Sequence, residues 1–232
     1  MRAILIALTL LLSACAAPRE SLMFPSPYQA SGNEPFWHIL ITDQTAVIER
    51  PDHAPVTRSL HEITNVRSGW ELRGTDLKIN VTTMRCENDM SGALFTHAVA
   101  MELDGMKYKG CGGTELPPDG INMTQWNLIM LGSRALTAEV RPFLAIDGQG
   151  KVSGLDGCNR MAGGFAFLPN GTIEHSAQGW ISTRMACPQP QMELASEYGK
   201  ALRASTHWRF EGAHLVLLNP QGVPVLRYQR TY

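Results

Sequence analysis

The side chains in this 232-residue sequence that could do chemistry are five cysteines and a few clusters of acids, amides and hydroxyls. Cys15 follows Met1-Arg2, an apolar stretch from Ala3 to Leu12, and the small residues Ser13-Ala14. One positive charge, a short apolar stretch and a small residue before a cut make a secretory signal. The stretch is too short for an ordinary membrane span. The other four cysteines are Cys86, Cys111, Cys158 and Cys187. An even number in an exported chain points to disulfides. Three pairings are possible, and Cys86–Cys111 with Cys158–Cys187 is the simplest because each bridge then stays within one half of the chain. Each would close a loop of about 25–30 residues, worth about 3–4 kcal/mol in the chain-entropy model. Gly110-Cys111-Gly112-Gly113 could instead expose a reactive thiol, but a bridged cysteine in a tight turn is the reading adopted. No C-x-x-C occurs, and the seven histidines are scattered without ligand spacing. No metal and no cofactor is therefore expected.

Three further groups could bind or react. Asn33, Glu34 and Trp37 place an amide, an acid and an indole close together, a set suited to a sugar or a peptide, with the indole stacking. The reading adopted is that Pro35-Phe36-Trp37 leads a strand into the core while Asn33 makes a turn, with binding kept as a possible role. Asp89 and Ser91, with His97, imitate part of a hydrolase set, but no G-x-S-x-G elbow is present, and Asp89-Met90-Ser91-Gly92 also reads as a turn. Asn159 could contact a ligand or close its own bend. Gly154, Gly157, Gly163 and Gly164 suit tight bends, because no G-x-x-x-x-G-K-[ST] pattern accompanies them. No catalytic residue is assigned, and the protein is not expected to be an enzyme.

The elements that must hold these residues are mostly strands. Leu77, Ile79 and Val81, and again Val99, Met101 and Leu103, alternate with polar or small residues as half-buried strands do. Asp104-Gly105 supplies a hairpin turn. Trp70 and Leu72 suit another strand, and Phe36 to Ile41 form an apolar run of strand length. Thr114-Glu115-Leu116-Pro117-Pro118-Asp119-Gly120 reads as a break between domains. Beyond it, Asp147-Gly148-Gln149-Gly150 and Pro169-Asn170-Gly171 predict two hairpins. Residues 191–204 carry the convincing helix after the signal, with Leu194, Tyr198, Ala201 and Leu202 on one face. His214–Leu218 and Val223–Tyr228 return to strands. The expected class is α+β, mostly β, as two small disulfide-bonded β-rich domains. Hydrophobic residues at 44% can fill such cores. Removing residues 1–14 takes away only Arg2, leaving 19 basic against 21 acidic residues. With no basic stripe, nucleic acid is not expected as a partner.

Resemblances sharpen this outline. Leu12-Ser13-Ala14-Cys15 resembles the lipobox of bacterial lipoproteins. That implies cleavage after Ala14, a diacylglycerol on the Cys15 thiol and an acyl chain such as palmitate on the new amine. Several acyl chains hold a protein far more firmly than one, because each buried methylene adds about 0.8 kcal/mol. Ala16, where Asp does not follow the cysteine, implies the outer membrane by resemblance to the sorting rule of enteric lipoproteins. In the second half, Trp126-Asn127-Leu128, Gly157-Cys158-Asn159-Arg160 with Gly163-Gly164, and Thr183-Arg184-Met185-Ala186-Cys187-Pro188 together resemble a META domain. This is the fold of HslJ-like heat-shock lipoproteins, and the likeness covers about residues 122–230. It implies a sheet with one packed helix in an envelope protein linked to stress tolerance, and no catalytic residues. Ser31-Gly32-Asn33-Glu34-Pro35-Phe36-Trp37, Cys86 to Gly92 and Gly110-Cys111-Gly112 resemble a family of small envelope lipoproteins of uncharacterised activity, which supports a Cys86–Cys111 bridge.

The expected organisation is a signal peptide over 1–14, a tether over 15–30, a β-rich domain over 31–115, a linker over 116–121 and a META domain over 122–232. The expected role is a non-enzymatic binding or structural lipoprotein in envelope stress tolerance. Its partners would be the membrane, through Cys15, and an envelope protein or glycan. An inhibitor of a hydrolase such as lysozyme, using loops at 87–92 or 156–164, is the alternative. A periplasmic hydrolase using Asp89, Ser91 and His97 is the second.

Overall fold

Alternating apolar residues turn the first half into eight antiparallel strands. They are β1 (Tyr28–Asn33), β2 (Phe36–Thr42), β3 (Thr45–Glu49), β4 (Val56–Val66), β5 (Gly69–Gly74), β6 (Leu77–Glu87), β7 (Leu94–Leu103) and β8 (Met106–Leu116). Each pairs with the next in sequence, and β1 pairs with β8, so the sheet closes into a barrel. The computed structural model describes residues 23–137, 139 and 141–231, so the signal peptide and Cys15 lie outside the described residues. An eight-stranded barrel has an interior that side chains can just fill. Here Ile39, Ile41, Ile48, Leu72, Ile79 and Leu103 fill it with no exposed surface. Leu77, Ile79 and Val81 all point inward from β6, as their alternation predicts.

The seam of the barrel depends on glycine. A Cβ on Gly110 would lie 1.9 Å from the Ser31 carbonyl oxygen, and one on Gly32 would lie 2.0 Å from that of Lys109. Both obstacles are backbone, which cannot rotate aside as a side chain can. Gly110→Ala is therefore expected to cost about 3 kcal/mol, the upper part of the usual range for overpacking. Chemical denaturation reads the loss directly, and a midpoint equal to that of the parent protein would contradict it.

The second half forms another antiparallel sheet. Its strands are β9 (Thr124–Leu131), β10 (Arg134–Ala135), β11 (Phe143–Ile146), β12 (Val152–Leu155), β13 (Arg160–Phe167), β14 (Ile173–Ser182), β15 (His207–Glu211), β16 (His214–Leu218) and β17 (Pro224–Thr231). The order is β14-β13-β12-β11-β9-β17-β16-β15, with β10 beside β9. The two outer strands approach each other at one end. Ile173 N donates to Thr206 O and Trp208 N to Gly171 O, at 2.8 and 2.7 Å, beside a bridge between Thr172 and His207. The sheet thus curls around its own core. Helix α1 (Gln189–Ala204) joins β14 to β15 and buries Leu194, Tyr198 and Leu202 in that core. At the centre, the Tyr228 hydroxyl donates to that of Tyr198 at 3.1 Å. Among the described residues no helix is long and apolar enough to cross a membrane.

Three boundaries differ from those the sequence predicts. β1 begins at Tyr28, inside the segment read as a tether, because Tyr28 and Ala30 point into the barrel. β8 runs on through Thr114-Glu115-Leu116, where the break was expected, because β7 offers a partner: Leu116 pairs with Leu94 and Glu115 with Phe95. Pro117-Pro118 then ends it, since proline has no N–H for the ladder. The helix starts at Gln189, ahead of the predicted 191, because Pro190 falls in the first turn, where a proline is tolerated.

Candidate functional site

Beyond Thr83 and His97 the ladders shift register twice, with the extra residue on β6 between Thr83 and Cys86 and on β8 between Gly112 and Glu115. Such bulges bend a strand. The Cys86–Cys111 disulfide then ties the end of β6 across to β8, and the connecting loop comes to rest against Asn33 at the end of β1. The loop is built around one amide oxygen. Asn88 Oδ1 accepts from Met90 N at 3.2 Å, Ser91 N at 3.0 Å, Ser91 Oγ at 3.0 Å and Asn33 Nδ2 at 2.9 Å. Gly92 N closes the turn onto Asn88 O at 2.7 Å, and Asn88 N donates to Ala93 O at 2.8 Å. Asn33 Nδ2 also donates to Asp89 Oδ1 at 2.6 Å. The loop is therefore ordered by its own hydrogen bonds, while Met90 at its tip is 70% exposed.

Beside the loop lies a cleft of about 370 Å³, lined by Asn33, Glu34, Glu87, Asn88, Asp89 and Lys109 along the disulfide. Three carboxylates facing one ammonium suit polar or cationic groups on a partner. The sequence reading located Asn33, Glu34 and Asp89, and the structure brings them together. Glu87 and Asn88 belong to the loop at 87–92 expected as a candidate contact, whereas Lys109, a strand residue distant in sequence, carries no local signal of the cleft. Next to Cys86, Arg85 forms two hydrogen bonds with the Asp119 carboxylate, which hold Asp119 below the usual carboxylate range.

Other candidates fall elsewhere. Trp37 does not join the cleft as a stacking surface; it takes the core position expected of Pro35-Phe36-Trp37. Its ring lies inside the barrel, 3% exposed, and Nε1 donates to Lys109 O at 3.0 Å. The strand's alternation forces this, because Trp37 shares a face with Ile39 and Ile41. Ser91 and His97 do not pair. Ser91 Oγ is engaged with Asn88 Oδ1 and accepts from Ala93 N at 3.2 Å. His97 is buried against Tyr28 and Trp70, with ring centroids 5.7 and 5.5 Å away. Its Nδ1 lies 3.3 Å from Thr96 Oγ1, which already accepts from Thr114 N and so has its proton free for the ring.

Burial lowers the His97 pKa, so the folded protein holds this ring neutral. Above the ordinary histidine range both folded and unfolded states are neutral, and stability is unaffected. As pH falls through about 6.5, the unfolded chain takes up the proton first, and stability drops until the folded ring titrates as well. Denaturation midpoints should therefore fall between pH 7.5 and 5.5, and His97→Phe should flatten that slope. An identical slope in the variant would refute the assignment.

In the second sheet, Cys158 and Cys187 form the other disulfide. Asn159 closes the bend between them and the strands. Its Oδ1 accepts from Met185 N at 2.8 Å and Thr183 Oγ1 at 3.4 Å. Asp156 Oδ1 accepts from the backbone of Cys158 and Asn159 at 2.8 and 2.5 Å. A second cleft, about 320 Å³, opens here between α1 and β14, with Met161, Trp180, Met185 and Met192 in its wall. The Arg203 guanidinium lies over the Trp180 ring, 5.2 Å from its centroid. Among the described residues no three His, Cys, Asp or Glu side chains converge as metal ligands would.

No curated protein and no solved structure gives a significant match to the chain. The strands from β9 onward and the helix, within residues 119–232, match the family model of the META domain.

Proposed function

We propose that this protein is a lipid-anchored binding protein of the bacterial cell envelope, non-enzymatic, held at the outer membrane through Cys15 and acting in stress tolerance through a protein or glycan partner. The observation that carries the binding role is the loop around Asn88, ordered before contact and presenting Met90 beside the Asn33–Asp89 cleft. A loop already ordered loses little conformational freedom on docking. The META match supports the envelope setting. The separate hydrogen bonds of Ser91 and His97 support a role without hydrolysis.

Protein cross-linked in cells and recovered from the membrane fraction is expected to bring down the same protein or glycan in repeated trials. Met90→Ala combined with Asp89→Ala should reduce that recovery. Absence of any reproducible partner, or recovery indifferent to both substitutions, overturns the binding role. The second reading, an inhibitor of a hydrolase such as lysozyme, draws on the same exposed tip, since inhibitors of that kind insert a rigid loop into an active cleft. Excess protein that leaves lysozyme activity unchanged removes that enzyme as the target.

A further inference from the structure

Methionine and leucine are close in size and hydrophobicity, so burial by itself should treat them alike. In this protein it does not. Among the described residues no leucine is exposed, whereas Met84, Met90 and Met106 in the barrel and Met123, Met185 and Met192 in the second half are 41–76% exposed. Met23, at the start of the described chain, is exposed as well. A docking surface would gather such side chains into one patch, but these are spread over both halves of the chain. Met90 tips the loop after β6, Met106 opens β8, Met123 precedes β9, and Met185 and Met192 line the cleft beside α1. What they share is an accessible thioether, the one feature that separates methionine from leucine at the surface. The side chains that would compete for an oxidant are withdrawn. All four described cysteines are in disulfides, and Trp37, Trp70 and Trp126 are buried. Two methionines are kept from solvent, Met101 inside the barrel and Met161 in the second core.

We infer that these methionines give the protein a further activity, the consumption of hypohalous acid by oxidation of the exposed thioethers to sulfoxides. In each event the sulfur loses two electrons and gains a bond to oxygen. The O–Cl bond of hypochlorous acid breaks, chlorine leaves as chloride, and the acid's proton passes to water. Susceptibility follows exposure, so the six exposed methionines react ahead of Met101 and Met161. Their placement also keeps the reaction harmless to the fold. A sulfoxide is strongly polar and is costly to bury without a hydrogen-bond partner, but at an exposed position water solvates it at once. Leucine at the same sites would offer similar apolar surface and no oxidisable atom. A methionine sulfoxide reductase restores each thioether with two electrons and two protons and releases the oxygen as water, one enzyme serving each sulfoxide epimer. The activity requires neither the lipid anchor nor the envelope partner proposed above.

Purified protein with Cys15 blocked by alkylation, so that no free thiol competes, is titrated with hypochlorous acid below one equivalent per methionine. Peptide mass mapping should find oxygen on the six exposed methionines before Met101 or Met161. Protein carrying those oxygens should still unfold cooperatively, at close to the parent's denaturant midpoint. Mixed with an enzyme that methionine oxidation inactivates, the protein should protect that enzyme, and protein oxidised beforehand should not. Treatment with sulfoxide reductases for both epimers should return the protection. A variant with all six exposed methionines replaced by leucine should lose most of it. The oxidised native chain keeps the test decisive even where the leucine variant folds poorly. Oxidation of Met101 or Met161 alongside the exposed set, loss of cooperative unfolding, or protection undiminished by prior oxidation would each overturn the inference.

Discussion

Trp126→Ala is expected to destabilise the protein by about 3–5 kcal/mol, the range for removing a fully buried tryptophan from a packed core. Trp126 has no exposed surface and lies nearly parallel to Phe210, with centroids 5.6 Å apart and planes at 27°. Its Nε1 donates to Thr124 Oγ1 at 2.7 Å, and that hydroxyl donates onward to Ile121 O. The alanine variant loses the ring and empties the space beside Phe210. It also strips the Thr124 hydroxyl of its donor. Trp126→Phe retains most of the buried area and should lose clearly less. Denaturant unfolding followed by the remaining tryptophans measures both, and equal losses would show that burial and hydrogen bonding had been misassigned.

Removing the Cys86–Cys111 bridge as the pair Cys86→Ala and Cys111→Ala should cost about 3–4 kcal/mol, because the bridge closes a 25-residue loop that the unfolded chain otherwise explores freely. The effect should be local as well as global. The bridge holds the end of β6 across β8, so without it the loop around Asn88 keeps only non-covalent ties, to Asn33, within its own turn and through the ladder at Glu87 and Leu94. Amide exchange at residues 88–93 should accelerate far more than in β9 and β17. A midpoint like that of the parent, or exchange unchanged in the loop, would contradict the role assigned to the bridge. If the binding role is correct, this variant should also recover its partner poorly.

Much of the fold could be read from local pattern. Leu77, Ile79 and Val81 needed only their alternation to be placed inside a sheet, because a strand sends successive side chains to opposite faces. Asp104 and Gly105 take positive φ, at 51° and 80°, as their turn chemistry predicts. The helix face of Leu194, Tyr198 and Leu202 is buried, although Ala201 on the same stripe is only partly so. Both disulfides follow the simplest pairing, each within one half of the chain. Closure of the barrel could not be read this way. It depends on β1 meeting β8 across some eighty residues, and the glycines that permit it look locally like ordinary bends.

The candidate site divides in the same manner. Residue type was enough to single out Asn33, Glu34 and Asp89, because amides and acids beside turns are short-range signals. Trp37 was equally visible as an aromatic, but whether it faced a ligand or the core depended on the phase of β2 against its neighbours. By itself, then, the sequence determined the strands, the turns, the helix stripe and the even set of bridging cysteines, since each is a matter of neighbours a few residues apart. Only the tertiary structure decided that β1 seals the barrel, that Trp37 turns inward, and that bulges in β6 and β8 accompany a loop that brings Asn88 and Asp89 onto Asn33. Those outcomes depend on contacts between residues distant in the chain, which no local pattern encodes.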